Sequence, residues 1–276
     1  MSTHTLPIGD FLLTSIPIWP GRMMNPTQLF PNQTLDEIDE ARSKFPYYFG
    51  ETNQELKFTL NAFLLRGPHG NVLIDTGVPT ETQPSPLLAG LAEVGLSPDD
   101  IHFVVFTHRD GDHVGGGTVD GRPAFPRARY FIGHTEYEHF RADEGRAETF
   151  ANHITPLETA GLLEVVANDA EIVPDVHLFL TPGHRSGATS VTVNRRTTHH
   201  GAIILADTWH SAIQVTLPDW HMMFDEDGHA AAATRRQVIE MAERDDLLVA
   251  VPHTIDHGFG KVSREGNGYV WNPFVE

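Results

Sequence analysis

Cysteine is missing from all 276 residues. Its absence excludes disulfides, a thiolate nucleophile and any cysteine-ligated metal site, so a bound ion would need imidazole and carboxylate ligands. Basic charge is scarce: 19 Lys and Arg stand against 37 Asp and Glu, for a formal net charge of −18. Phosphate binding draws on clustered Lys and Arg, so no nucleic-acid partner is expected. The acidic balance indicates a solvated, self-repelling exterior. No apolar run approaches the ~18 residues of a membrane span, so no membrane partner is expected either. The first residues, MSTHTLPIGDFLLTSIPIW, lack a basic leader, a long apolar stretch and a small-residue cleavage site. The expectation is a cytoplasmic protein. Repeats and low-complexity segments are also missing, and no Gly-x-Ser-x-Gly elbow offers a serine nucleophile.

What is present is a chain with 40% apolar residues, enough for a large core. Residues 1–57, rich in Pro, Asn and aromatics, read as an irregular N-terminal arm packed on the domain, with a short helix at 35–43. Residues 58–276 show no linker and read as one domain. Strand patterns occur at 59–66, 71–77, 102–107, 128–133, 162–166, 176–181, 189–194, 202–207 and 247–252. Helical spacing occurs at 85–96, with Ser85 as a cap, at 134–152 with breaks, and most clearly at 229–243. Strands interspersed with helices point to an α/β fold of sheets covered by helices. His199–His200, beside Arg195 and Arg196, reads as a hairpin turn without chemistry.

Seventeen histidines are present, and their placement matters more than their number. Directly after the apolar run 102–107 comes Thr107-His108-Arg109-Asp110-Gly111-Asp112-His113-Val114-Gly115-Gly116. Four potential ligands, His108, Asp110, Asp112 and His113, fall within six residues, and the glycines behind them allow a tight turn. Alone, such a loop is also compatible with a polar turn capped by Asp112. However, His184 follows the strand pattern 176–181, Asp207 ends AIILAD and His253 follows LLVAVP. Each is weak by itself, because a lone His or Asp at a strand end is usually a cap. Together they collect at strand C-termini, where α/β folds keep their sites.

This ordered set resembles the metallo-β-lactamase superfamily, whose motifs are an Asp after a strand, a His-x-His-x-Asp-His loop, a later His, a later Asp and a final His. They match Asp75 in Leu73-Ile74-Asp75-Thr76-Gly77, the 108–113 loop, His184, Asp207 and His253. The resemblance implies a four-layer αββα sandwich holding two divalent metal ions. His108 and His184 would hold the first and Asp112, His113 and His253 the second, with Asp207 bridging and Asp75 orienting an imidazole. Zinc is the first expectation; manganese or iron also fits. One departure is plain: Asp110 replaces the family's second histidine. As a ligand it would favour harder ions; the alternative is that the first site is lost.

The function implied is hydrolysis by a metal-bound hydroxide, with Asp112 also carrying a proton to the leaving group. Within the superfamily, the runs 206–210, 218–220, 224–225 and 268–271, with Leu29-Phe30-Pro31, resemble N-acyl homoserine lactonases and methyl parathion hydrolase-like enzymes. That branch implies a small-molecule lactone or ester substrate and a homodimer. His210, three residues after Asp207, is a candidate catalytic hydrogen-bond donor to substrate, against a packing role. Trp209, Trp220, Phe30 and Met23 are candidates for a pocket wall or, more simply, for core. The rival readings are a mononuclear iron oxygenase-type member of the same fold, a nucleic-acid-processing member, against which the acidic balance tells, and a non-catalytic binding protein.

Overall fold

The computed structural model describes residues 2–52, 54–79, 84–194 and 201–274. The expected turn at His199–His200 lies outside them. Period-two alternation in the strands sends neighbouring side chains into different cores. Val72 and Ile74 join one apolar cluster while Leu73 between them joins a second. In the other half of the chain, Ile204 and Ala250 join the first cluster, whereas Ile203 and Val249 join a third. Strands apolar on both faces need cover on both sides, which the αββα sandwich supplies.

The first sheet begins with β1 (His4–Ile8), β2 (Phe11–Met24), β3 (Leu56–Gly67), β4 (Gly70–Ile74) and β5 (Phe103–Phe106). A small ladder of β6 (Thr118–Val119) and β7 (Arg122–Pro123) intervenes before β8 (Arg129–Gly133) and β9 (Leu163–Val166) complete that sheet. The second sheet is β10 (Glu171–Val173), β11 (Val176–Leu180), β12 (Thr189–Val193), β13 (Ala202–Ile204), β14 (Leu248–Ala250), β15 (Phe259–Glu265) and β16 (Gly268–Pro273), in that spatial order. Pairing is parallel for β4–β5, β5–β8, β8–β9 and β13–β14, and antiparallel elsewhere.

The helices are α1 (Pro26–Leu29), α2 (Leu35–Lys44), α3 (Pro86–Glu93), α4 (Gly111–Val114), α5 (His134–Ala142), α6 (Ala147–His153), α7 (Thr155–Thr159), α8 (Ile213–Thr216) and α9 (Gly228–Arg244). Leu87 and Leu91 of α3, Phe140 of α5 and Leu157 of α7 cover the outside of the first sheet. Val238, Ile239 and Ala242 of α9 cover the second, at the i, i+1, i+4 spacing of an amphipathic face. Local chemistry sets the helix starts. Ser85 accepts from Leu88 N, Thr34 and Glu37 form a capping box on α2, and Asp227 accepts from His229 N and Ala230 N.

The sequence reading of residues 1–57 as an irregular arm is corrected. β1 and β2 form a hairpin, and β2 pairs antiparallel with β3 from Leu12–Arg66 to Met24–Leu56. Two register shifts, between Pro17 and Trp19 and between Trp19 and Arg22, interrupt that ladder. They accommodate the prolines and glycine that disguised the strand. The short helix expected near 35–43 is α2.

Ile204 is fully buried between the sheets. Ile204→Ala is expected to lower the unfolding free energy by about 2–5 kcal/mol. Leu180→Ala, at a side chain 39% exposed, should stay within about 0.5 kcal/mol. Urea titrations of both variants at one fixed metal concentration check the pair.

Candidate metal centre

Strand ends deliver the side chains that the sequence singled out. His108 lies just beyond β5, Asp112 and His113 ride on the single turn of α4, and His184, Asp207 and His253 follow β11, β13 and β14. The loops there run close together. A Cβ on Gly116 would lie 2.1 Å from the Thr76 carbonyl oxygen, and one on Gly183 (φ +134°) 2.2 Å from Ala231 N, so neither position admits a side chain.

Asp207 is the hub. One of its oxygens, Oδ2, lies 3.1 Å from His210 Nε2, 3.2 Å from His253 Nε2, 3.5 Å from His184 Nε2 and 3.8 Å from His108 Nε2. The other, Oδ1, lies 3.3 Å from His113 Nε2. Asp112 Oδ2 is 3.7 Å from His253 Nε2 and 3.8 Å from His113 Nε2. Among the described residues four groupings have their ligand-type atoms within 4.8 Å of one another, and two of them, His108–His184–Asp207 and Asp112–His113–His253, share no residue. Two atoms bound to one ion at ~2.1 Å and at tetrahedral or octahedral angles stand about 3.0–3.4 Å apart. The spacing around Asp207 is close to that.

A metal fits this centre on a second ground. Nε2 of His108, Nε2 of His113, Oδ1 of Asp207 and both ring nitrogens of His210 are buried without a hydrogen-bond partner. Such orphans are rare and cost about 1–3 kcal/mol each. The outer nitrogens, in contrast, are held. His113 Nδ1 donates to Asp75 Oδ2 at 2.6 Å, His253 Nδ1 to the Thr59 carbonyl at 2.8 Å and His184 Nδ1 to Asp225 Oδ1 at 3.3 Å. His108 Nδ1 donates to Thr107 Oγ1 at 3.0 Å, and that hydroxyl donates to Asp75 Oδ2 at 2.7 Å. This turns four Nε2 atoms inward, where loss of a proton gives the tautomer that an ion requires. Imidazole with carboxylate suits zinc, manganese or iron.

Burial, with the neighbouring His113, holds His108 well below the usual imidazole range. Burial acts on His184 in the same direction, but Asp110, Asp225 and Asp207 overcome it and push that imidazole up to about 9. Burial would raise Asp207, yet His253, His113 and His210 hold it well below the carboxylate range.

Asp110 reaches the same place, with Oδ2 3.3 Å from His184 Nε2, but arginines hold it. Arg185 donates from Nε to Oδ1 at 2.8 Å and from Nη2 to Oδ2 at 2.6 Å, and Arg146 Nη2 lies 3.0 Å from Oδ1. Arg185 and Arg146 carried no sequence signal beyond being cations near the motifs. Nor did Arg235, which is fully buried in α9. It donates to the carbonyls of Thr208 (3.0 Å), Pro218 (2.5 Å) and Trp220 (3.2 Å), and its Nη2 lies 3.7 Å from Asp225. Phe58 was missed as well; its ring stacks on His253 at 4.5 Å. Trp209, Trp220 and Phe30 are core residues, Trp220 packing edge-on against Phe30 at 5.2 Å, while Met23 is exposed. A cavity of about 770 Å³ lined by Ile18, Val78, Leu87 and Asn152 touches none of the inward imidazoles.

A model of the metallo-beta-lactamase superfamily matches residues 58–253. An N-acyl homoserine lactonase of Bacillus thuringiensis is 27% identical over 165 residues, 52% of this chain and 60% of that protein. The chain therefore spans about three fifths of the length of that curated relative. Among solved structures, the fold is similar to AidC, a dizinc quorum-quenching lactonase in complex with a product, N-hexnoyl-L-homoserine (TM-score 0.84, 19% identity, 100% of this chain and 98% of that one). It is also similar to the hydrolase AbOPH (TM-score 0.88, 21% identity, the same coverage).

The loop carrying His108 and Asp110 is anchored by Arg109, whose backbone N and guanidinium both bind the fully buried Glu136 at 2.8–3.1 Å. Glu136→Ala is expected to cost about 3–5 kcal/mol, because it removes the fully buried partner of the Arg109 guanidinium and backbone N–H. Glu226, 45% exposed and 3.2 Å from Arg109 Nη2, should cost under about 1 kcal/mol when removed. Parallel chemical denaturation of the two variants gives the comparison.

Proposed function

The chain belongs to the metallo-β-lactamase superfamily, and from that premise we propose that it is a metal-dependent hydrolase of lactones or related esters. The observation that carries this reading is the ring of five imidazoles around buried Asp207, with the inward nitrogens of His108, His113 and His210 buried without a hydrogen-bond partner. In the proposed centre His108 and His184 serve a first ion, Asp112, His113 and His253 a second, and Asp207 both. Zinc is the leading candidate, supported by the dizinc lactonase of like fold; the carboxylates leave room for manganese or iron.

Bound divalent ions would supply an acidified water and polarise a substrate carbonyl. This chain's own side chains do the rest. Asp112 is the most open carboxylate of the cluster, its side chain 28% exposed against 4% for Asp207. It is placed to take a proton from water and pass it to a leaving alkoxide. Phe58 closes one side of the site against water by lying on His253. Phe224, 40% exposed and 6.4 Å from the His210 ring, and neighbouring Met223, 50% exposed, give an apolar lip for the acyl part of a substrate. The lactone preference draws on the B. thuringiensis relative and on AidC.

Elemental analysis of chelator-free protein, followed by assays on an N-acyl lactone, an aryl ester and a phosphotriester, tests the reading. Two ions and turnover of a lactone or ester are expected. Protein that holds no ion, or that leaves all three substrates intact when fully loaded, would overturn it. Asp75→Ala, which frees His113 Nδ1, should weaken metal binding or turnover about 10–100-fold; competition with a chromophoric chelator reads the first directly. The same titration gives the pH dependence. In the ion-free protein His184 keeps its proton up to about pH 9, and an ion needs it neutral. Apparent affinity should therefore fall as pH drops from 9 to 6, by up to about tenfold per unit for each proton displaced.

A further inference from the structure

We propose that His210 is itself a metal ligand, giving Nε2 to the first ion in place of the imidazole that the 108–113 loop lacks at position 110. Asp110 is then a positioning residue. This rests on the reading of the cluster as a metal centre.

Three observations lead here. His210 is 1% exposed, and neither ring nitrogen has a hydrogen-bond partner. A donor to substrate needs a nitrogen facing open space, and this ring has none. Its Nε2 instead makes the shortest approach of any imidazole to Asp207, 3.1 Å, from a ring 4.9 Å from that of His184 and 5.3 Å from that of His253. It forms ligand-type groupings both with His184 and Asp225 and with Asp207 and His253.

Asp110, meanwhile, is largely engaged. Three guanidinium N–H groups from Arg185 and Arg146 lie on its carboxylate, which offers about four acceptor directions. The remaining direction meets His184 Nε2. Asp110 thus sits between Arg185 and the ion-facing nitrogen of His184, and Arg185 Nη1 also donates to the Phe224 carbonyl at 2.7 Å. Under this assignment His210 supplies the ligand, and Asp110, beside the ion-facing nitrogens of His184 and His108, holds the Arg185 and Arg146 guanidinium groups at the edge of the site.

The 210 position is also rigid enough for a ligand. The backbone N–H groups of His210 and Ser211 donate to Gln214 Oε1 at 2.8 and 3.3 Å, and the buried Gln214 amide donates to the Trp220 carbonyl at 2.8 Å. Phe58 lies nearly parallel to the imidazole, with centroids 6.4 Å apart and planes inclined by 17°. A preorganised ring costs an incoming ion little reorganisation.

The test that leaves the chain unaltered is NMR of the full-length protein labelled with ¹⁵N-histidine and loaded with ¹¹³Cd as a zinc surrogate. Five metal-coupled Nε2 signals are expected, with the His210 signal coupled to the same cadmium as those of His108 and His184. Four coupled imidazoles, with His210 uncoupled, would overturn the assignment while leaving the metal centre standing. Protein that takes up no ion would overturn both. As a second measurement, His210→Ala should weaken the first ion by at least about 100-fold, and Asp110→Asn by only about 10-fold, with both ions kept at saturation. Unchanged zinc affinity at both sites in His210→Ala would equally sink the proposal.

Discussion

A carboxylate enclosed by five imidazoles is an expensive thing to fold, and the placement of Asp207 constrains most of what surrounds it. Burial disfavours its charge, and only close imidazoles keep it ionised. Those imidazoles come from β5, α4 and the ends of β11, β13 and β14. No single stretch of backbone could carry them all. The two sheets must therefore meet with their loops at one end, and the apolar layer between them, from Leu13 and Phe63 on one side to Val191 and Ile204 on the other, holds them there.

Around this centre runs a shell of groups that never face inward. Asp75 reaches both Thr107 and His113, and so fixes two imidazoles from one carboxylate. Its own backbone sits at φ +58°, which turns the chain sharply as β4 ends. Asp225 orients His184 and is itself faced by Arg235 from the core of α9. Arg109 and Glu136 clamp the motif loop from the other side. Buried charges of this kind are poor sources of stability but good sources of a single geometry, and a metal centre needs the geometry.

The sequence read well where chemistry is local. Ser85 before an apolar helix, the Ala-rich stretch that became α9, and the β-branched runs of β5, β12 and β14 all carried their structure in a few residues. It read poorly at residues 4–24, because Pro17, Pro20 and Gly21 look like loop residues, and a bulged strand tolerates them only when a neighbour pairs around the bulges. β10, β15 and β16 were also passed over; β10 and β16 are the edge strands of their sheet, and β15 and β16 are partly exposed, with no clean alternation to betray them.

The order of ligand-type residues, their places at strand ends and the lack of any cysteine were determined by the sequence alone, since each is a matter of residue type and spacing. Those features suffice to identify the family and to nominate His108, Asp110, Asp112, His113, His184, Asp207 and His253. What only the tertiary structure decided is orientation. Spacing cannot say that Arg185 and Arg146, 75 and 36 positions from Asp110, would occupy its carboxylate. Nor can it say that His210 would be buried with its Nε2 3.1 Å from Asp207. Both outcomes depend on which distant side chains arrive beside these residues once the sheets have packed, and that information is in no local stretch of the chain.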